Sequence, residues 1–410
     1  MTDQAIFVAS IILLLAFAVE RLGKVSGVPS VVILILIGLI GKPAMEIGGL
    51  ELSGLDTAVP VIGTIGLILI VLEGAFDIDL HKDKLRHAKS AFLMAGAGLI
   101  GCTLVFATAA NLILDLSIQQ ALILAVPLSV ISSAVAIPSS AFLPAEGREF
   151  VVYESSVSDI LGILIFFTLL ASDGTLAGIL SKLVGGGLLS LALGSICAAG
   201  LLLILIRIDG HIRFIPLLAG LFALYAGGKM MHLSPLIMVL LFGLVINNPQ
   251  LFSRLRGFRG LDANSYDATL AEFKTLTMEL TFAVRGFFFI LLGYWTDLST
   301  LLSVAAWAAA ALILVVIFTM RLLLLRWLQH DLTDALAWIA PRGLITVLLF
   351  LAAKDAMALP AFLDGAVLLV VLASAILISI GRLQWAKAGA PAEKLNAAEK
   401  AAAHESGAEG

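Results

Sequence analysis

"LSVISSAVAIPSSAFL", residues 128–143, places serines and Pro138 inside an apolar run that is otherwise suited to crossing a bilayer. Proline removes one ladder hydrogen bond and clashes with the preceding turn, so this span is expected to be kinked or unwound in its second half. Non-helical backbone at membrane depth is tolerated only where it is buried in protein or lines a cavity. A second stretch, "LAWIAPRGLITVLLFL" at 336–351, repeats the device with Pro341 and Gly343 around Arg342. Counted along the chain, these are the fifth and twelfth apolar spans. An odd offset makes corresponding helices run in opposite directions, the geometry of an inverted repeat with the substrate site at the repeat interface.

The rest of the chain fits that reading. Of its 410 residues 60% are hydrophobic and 13% charged, against about 25% charged in an average soluble domain. This is the composition of an all-α polytopic membrane protein. Windows of about 17 to 25 apolar residues recur along the chain and give roughly thirteen transmembrane helices. The opening "MTDQAIFVASIILLLAFAVERLGK" has its acid before the apolar run and its bases after it, the reverse of a secretory signal, so a retained first span is expected. Residues 385–410, rich in Ala, Glu and Lys, are expected to form a short disordered tail.

Basic residues test the topology, because they favour cytoplasmic connections. With loops alternating across the membrane, most of the 25 Lys and Arg, Arg321 and Arg326 included, collect on one side. Only Lys42, Lys182, Lys229 and Lys354 fall on the other. This predicts an N-terminus outside and a C-terminus in the cytoplasm of a cell (inner) membrane protein. The longest connection, 248–274, mixes Leu and Phe with Arg, as a helix lying on an anionic leaflet would.

Soluble-enzyme signatures are absent: there is no Walker loop, no dinucleotide fingerprint and no HExxH. Neither enzymatic activity nor a cofactor is expected, and nucleic acid is not an expected partner. Cys102 and Cys197 lie in apolar runs without metal-ligand spacing. The six histidines, His81, His87, His211, His232, His330 and His404, are read as solvated loop or tail residues.

Ionisable groups inside spans are costly and mark function or pairing. In "YESSVSDILGILIFF", 153–167, Ser155, Ser158, Asp159 and Gly162 share one helix face. A carboxylate with two hydroxyls is a set of hard oxygen ligands suited to an alkali cation. Hydroxyl or backbone oxygens near Ser132 and Ser133 would complete the shell. Glu154 points about 140° away from Asp159 and about 7 Å nearer the cytoplasm. It is expected to pair with Arg342 and lock the sixth and twelfth spans together. Arg285, midway through the tenth span, is expected at the depth of Asp159, where it could pair with that acid when the site is empty. Glu73, in the third span, is read as a proton-path residue or as a partner of Arg285 or Arg342. An aspartate poised so holds a proton or a cation but not both, and alternating access converts that competition into exchange.

At this point the chain resembles the cation/proton antiporter superfamily, in particular its NhaP-like sodium/proton exchangers. The likeness rests on "GVPSVVILILIGLI" (27–40), "LEGAFDIDL" (72–80), "SSAVAIPSS" (132–140), "YESSVSDILGILIFF", "RGFFFILLG" (285–293) and "APRGLITVLL" (340–349). It implies a homodimer with an inverted repeat and two crossed, broken helices. Transport helices are expected at about 59–172 and 272–382, and dimerisation helices at about 1–58 and 183–247. The family's ion-binding aspartate matches Asp159, its neighbouring acid Glu154, and the arginine of its second broken helix Arg342. Ser158 stands where the family pattern usually has Asn, and "SSAVAIP" stands where many members carry Thr-Asp-Pro, a version closer to the potassium-efflux branch. The reading is therefore Na+/H+ antiport at Asp159, with Li+ or K+ as other candidate ions. A potassium-efflux type of K+/H+ antiporter and a gated cation channel stand as alternatives.

Overall fold

The structure, a computed structural model, describes residues 2–26, 28–47, 55–76, 89–172, parts of 174–200, 214–231, 233, 235–248, 263–328 and 333–387. All six histidines, the basic segment 77–88, most of the expected span at 183–206, residues 249–262 of the long connection and the tail beyond 387 lie outside the described residues. Among the described residues the regular structure is helical: α1 (Thr2–Ser26), α2 (Ser30–Ile47), α3 (Leu55–Phe76), α4 (Lys89–Leu114), α5 (Ile118–Ser129), α6 (Ser133–Ser139), α7 (Ala145–Ala171), α8 (Phe214–Met230), α9 (Pro235–Asn247), α10 (Ala263–Trp295), α11 (Leu298–Leu301), α12 (Val304–Trp327), α13 (Thr333–Leu336), α14 (Leu344–Ala356) and α15 (Phe362–Lys387). Six helical stretches among them are long and apolar enough to cross a membrane, and four shorter ones are apolar. With the lipid-compatible exteriors of α4 and α12, where Leu104, Leu112, Val315 and Leu323 are exposed, this is a multi-pass membrane fold.

Local chemistry sets the helix ends that matter. Asp115, with φ of 52°, turns the chain after α4, and Ser117 and Gln120 then form a reciprocal capping box that starts α5. The long connection is partly an extension of α10 rather than a separate surface helix over its whole length. Tyr266, Leu270 and Phe273 recur at helical spacing and are buried. The Tyr266 hydroxyl donates to the Ile246 carbonyl at 2.6 Å, and Phe273 meets Phe76 and Phe214.

Helix association in a membrane rests on close packing rather than on exclusion from water. Gly38 on α2 and Gly293 on α10 face each other so closely that a Cβ on either would overlap the backbone of the opposite helix. α10 also packs on α1 and α3, and α3 on α9. A second group forms around α7, which contacts α4, α5 and α6, while α12 packs against α4 and α15.

Candidate ion-binding site

The fifth and twelfth spans are both interrupted, as their sequences predict, but the first break lies earlier than Pro138. Helical structure stops at Ser129, residues 130–132 are extended, and Pro138 sits within α6 near its end. The physical reason is that partners from distant helices replace the lost ladder. The Ile131 N–H donates to the Ser158 hydroxyl at 3.0 Å, and the Ser132 N–H donates to the Pro341 carbonyl at 3.0 Å. The second bond joins the two breaks directly. Gly343 permits the crossing, since a Cβ there would lie 2.5 Å from Ser132 Oγ. Gly162 on α7 does the same beneath the first break, where a Cβ would overlap Val130.

A broken helix exposes opposite partial charges at its two new ends. Asp159 and Arg342 meet them. Asp159 Oδ2 accepts from the Ser133 N–H at 3.1 Å and from the Ser133 hydroxyl at 2.5 Å, at the positive start of α6. Arg342 Nε donates to the Leu128 carbonyl at 2.7 Å, at the negative end of α5, and Nη1 donates to the Ala340 carbonyl at 3.3 Å. The Arg342 N–H is held by the Ser374 hydroxyl on α15 at 2.9 Å. Both charged side chains are buried. Beside them the buried Ser132 hydroxyl has no hydrogen-bond partner among the described residues.

Ser155 and Ser158 lie on the Asp159 face as expected, yet both are already bonded to backbone. Ser155 donates to the Val151 carbonyl at 2.7 Å, which leaves its oxygen lone pairs open, while Ser158 accepts the Ile131 N–H. Glu154 is turned away from this cluster, but its partner is Arg321 and not Arg342. Arg321 Nη1 and Nη2 donate to the two Glu154 carboxylate oxygens at 2.7 and 3.0 Å, and its Nε donates to the Leu336 carbonyl at 2.6 Å. The pair is buried, at 3% and 2% side-chain exposure, and ties α7, α12 and α13 together. Position near the end of an apolar run groups Arg321 with the loop cations in the sequence. The signal that reveals it is spacing: Ile313, Ile317, Arg321 and Leu325 recur every four residues and form the buried stripe of α12. Arg285 on α10 lies within electrostatic range of Glu73 on α3, with Thr281 beside that acid, but among the described residues no direct ion pair joins the two, and the roles left open for Glu73 stay open. Among the described residues no cluster of three or more His, Cys, Asp or Glu could hold a resident metal ion.

A sequence model described as sodium/hydrogen exchanger, transmembrane, matches residues 6–384. The chain belongs to the sodium/hydrogen exchanger family. The activity of that family is transmembrane exchange of Na+ and H+, and these are the substrates it assigns to this exchanger. A search of curated proteins gives no match. Among solved structures, the exchanger is similar to the sodium proton antiporter MjNhaP1 from Methanocaldococcus jannaschii at pH 8, with 21% identity, 94% of this chain and 97% of that chain covered, and a TM-score of 0.70. An electron-microscopy map of MjNhaP1 gives the same identity and coverage with a TM-score of 0.66. At that identity the likeness bears on the fold, and it agrees with an antiporter architecture built on crossed, broken helices.

Proposed function

We propose that this exchanger binds Na+ and H+ in competition at Asp159 and carries them by alternating access. The observation that carries the proposal is the junction of the two breaks, where the Asp159 carboxylate lies against Ser133 and next to the unsatisfied hydroxyl of Ser132. Carboxylate and hydroxyl oxygens are hard ligands for an alkali cation. Ser132, Ser133 and Ser155 would supply oxygens with Asp159, while Ser158 positions the break. Arg342 keeps the end of α5 neutralised throughout, and the Glu154–Arg321 pair holds the site helix. Protonation of Asp159 removes the charge that attracts Na+, so one ion leaves as the other arrives.

Two cavities support the alternation. One of about 590 Å3, flanked by Glu20 and Arg382, separates α1 and α2 from α6 and α15. Another of about 350 Å3, bordered by Asp297, Lys354 and Asp364, separates α10 from α14 and α15. Both run between the group containing α1, α2 and α10 and the group containing the breaks. On this reading α1–α3 and α8–α10 form the static, dimerising half and α4–α7 with α12–α15 the moving half. That assignment transfers α3 and α10 out of the transport group expected from sequence, because their packing is with α2 and α9. The protein would sit as a homodimer in the cell (inner) membrane, N-terminus outside and C-terminus in the cytoplasm, following the distribution of Lys and Arg.

The test is a proteoliposome assay with an internal pH dye, giving Na+, Li+ and K+ separately, with and without an imposed membrane potential. The proposal expects cation-driven proton movement that Asp159→Asn abolishes while the protein remains folded. Retained exchange in that variant would remove Asp159 from the mechanism, and flux indifferent to an opposing pH gradient would indicate a channel.

A further inference from the structure

A cavity of about 550 Å3 lies between α12, α13 and α15, apart from the ion site, and is within the roughly 300–1,000 Å3 of small-molecule sites. Its aromatic walls are Phe318 and Trp338, whose ring centroids are 6.3 Å apart, and Trp385. Its charged groups are Arg326, in the last turn of α12, and Asp334, in the first turn of α13. Both residues are exposed, and among the described residues their side chains form no ion pair with each other. Two opposite charges that share a cavity without closing on one another leave room for a ligand carrying both signs. The surrounding surface is apolar: Leu323 and Trp327 on α12 are 59% and 67% exposed. Tryptophan at such a position marks the level where lipid headgroups meet the hydrocarbon.

We propose that this cavity binds the headgroup of a zwitterionic phospholipid with a primary ammonium, a phosphatidylethanolamine. The phosphodiester lies on the Arg326 guanidinium, the ammonium donates to the Asp334 carboxylate, and the tryptophans cover the glycerol and first methylenes. Asp334 repels a purely anionic headgroup, and a quaternary ammonium has no N–H to donate to it. The site also reaches the exchange machinery. Trp338 packs against α15 where Gly381 has no side chain, since a Cβ there would overlap the indole. Four residues later in the chain stands Arg342, so a bound headgroup bears on the wall of the second break.

The experiment uses the full chain purified in detergent, with dioleoyl phosphatidylethanolamine, phosphatidylcholine and phosphatidylglycerol added separately, read by native mass spectrometry and by thermal unfolding. Phosphatidylethanolamine should be retained best and should raise the unfolding temperature. Loss of one charge-assisted contact in Arg326→Gln or Asp334→Asn should weaken its binding about tenfold. Asp334→Asn should leave phosphatidylglycerol binding equal or stronger. Both positions are exposed, so the variants test the ligand rather than the fold. Equal retention of all three lipids by the unmodified protein would overturn the proposal. Unchanged phosphatidylethanolamine binding in either variant would do the same.

Discussion

Replacing Arg321 by methionine keeps much of the side-chain volume on α12 and removes the guanidinium. Glu154, 1% exposed on α7, then loses both hydrogen bonds at 2.7 and 3.0 Å, and the Leu336 carbonyl loses its donor at 2.6 Å. Breaking a buried pair by removing one partner costs about 3–5 kcal/mol, most of it from the charge left behind. Adding Glu154→Gln removes that charge and leaves only neutral polar groups, at about 1–3 kcal/mol each when unsatisfied. The double variant should therefore be more stable than Arg321→Met alone, which is the signature of direct coupling in a double-mutant cycle. Unfolding of the purified protein in mixed micelles, followed by tryptophan fluorescence, provides the measurement. The parallel cycle with Arg342→Met, whose guanidinium bonds the Leu128 and Ala340 carbonyls, should show the two changes closer to additive. A double variant at 154 and 321 that loses the sum of the single costs would refute the pairing. So would coupling to Arg342 stronger than to Arg321.

Other consequences are direct. Ser133→Ala removes the hydroxyl bond to Asp159 at 2.5 Å and should raise the KM for Na+ about tenfold in the proteoliposome assay while exchange persists. Gly343→Ala puts a methyl 2.5 Å from Ser132 Oγ, so it should cost about 1–3 kcal/mol of stability and disrupt exchange, read by the same unfolding and dye assays. Lys354→Gln removes a pair to Asp364 whose partners are 45% and 30% exposed, and should change stability by less than about 1 kcal/mol in the unfolding assay.

The sequence carried the two breaks, the face that Asp159 shares with Ser155 and Ser158 and the separate orientation of Glu154, because each depends on spacing within one stretch of chain. It did not carry the position of the first break. What interrupts the fifth span at 130–132 is the pair of acceptors from Ser158 and Pro341, 27 and more than 200 positions away, which no local pattern encodes. The partner of Glu154 is hidden from the sequence for a related reason. Arg321 stands on α12 and Arg342 in the break before α14, and choosing between them requires knowing which of these elements faces Glu154 on α7. The four-residue stripe through Arg321 was readable, and it excludes a solvated loop cation. Helix grouping was the least legible part, since the contact between Gly38 and Gly293 that seats α10 on α2 involves residues with no side chain to form a pattern.

Competition at one carboxylate is the centre of the account, and equilibrium Na+ binding to the purified protein tests it without transport. Titration calorimetry at acidic and alkaline pH should show Na+ affinity falling as protons are added, with each Na+ bound releasing protons into the buffer. In Asp159→Asn both the binding and the proton release should disappear. Na+ binding that is independent of pH, or that survives in Asp159→Asn with its proton release intact, would contradict the account.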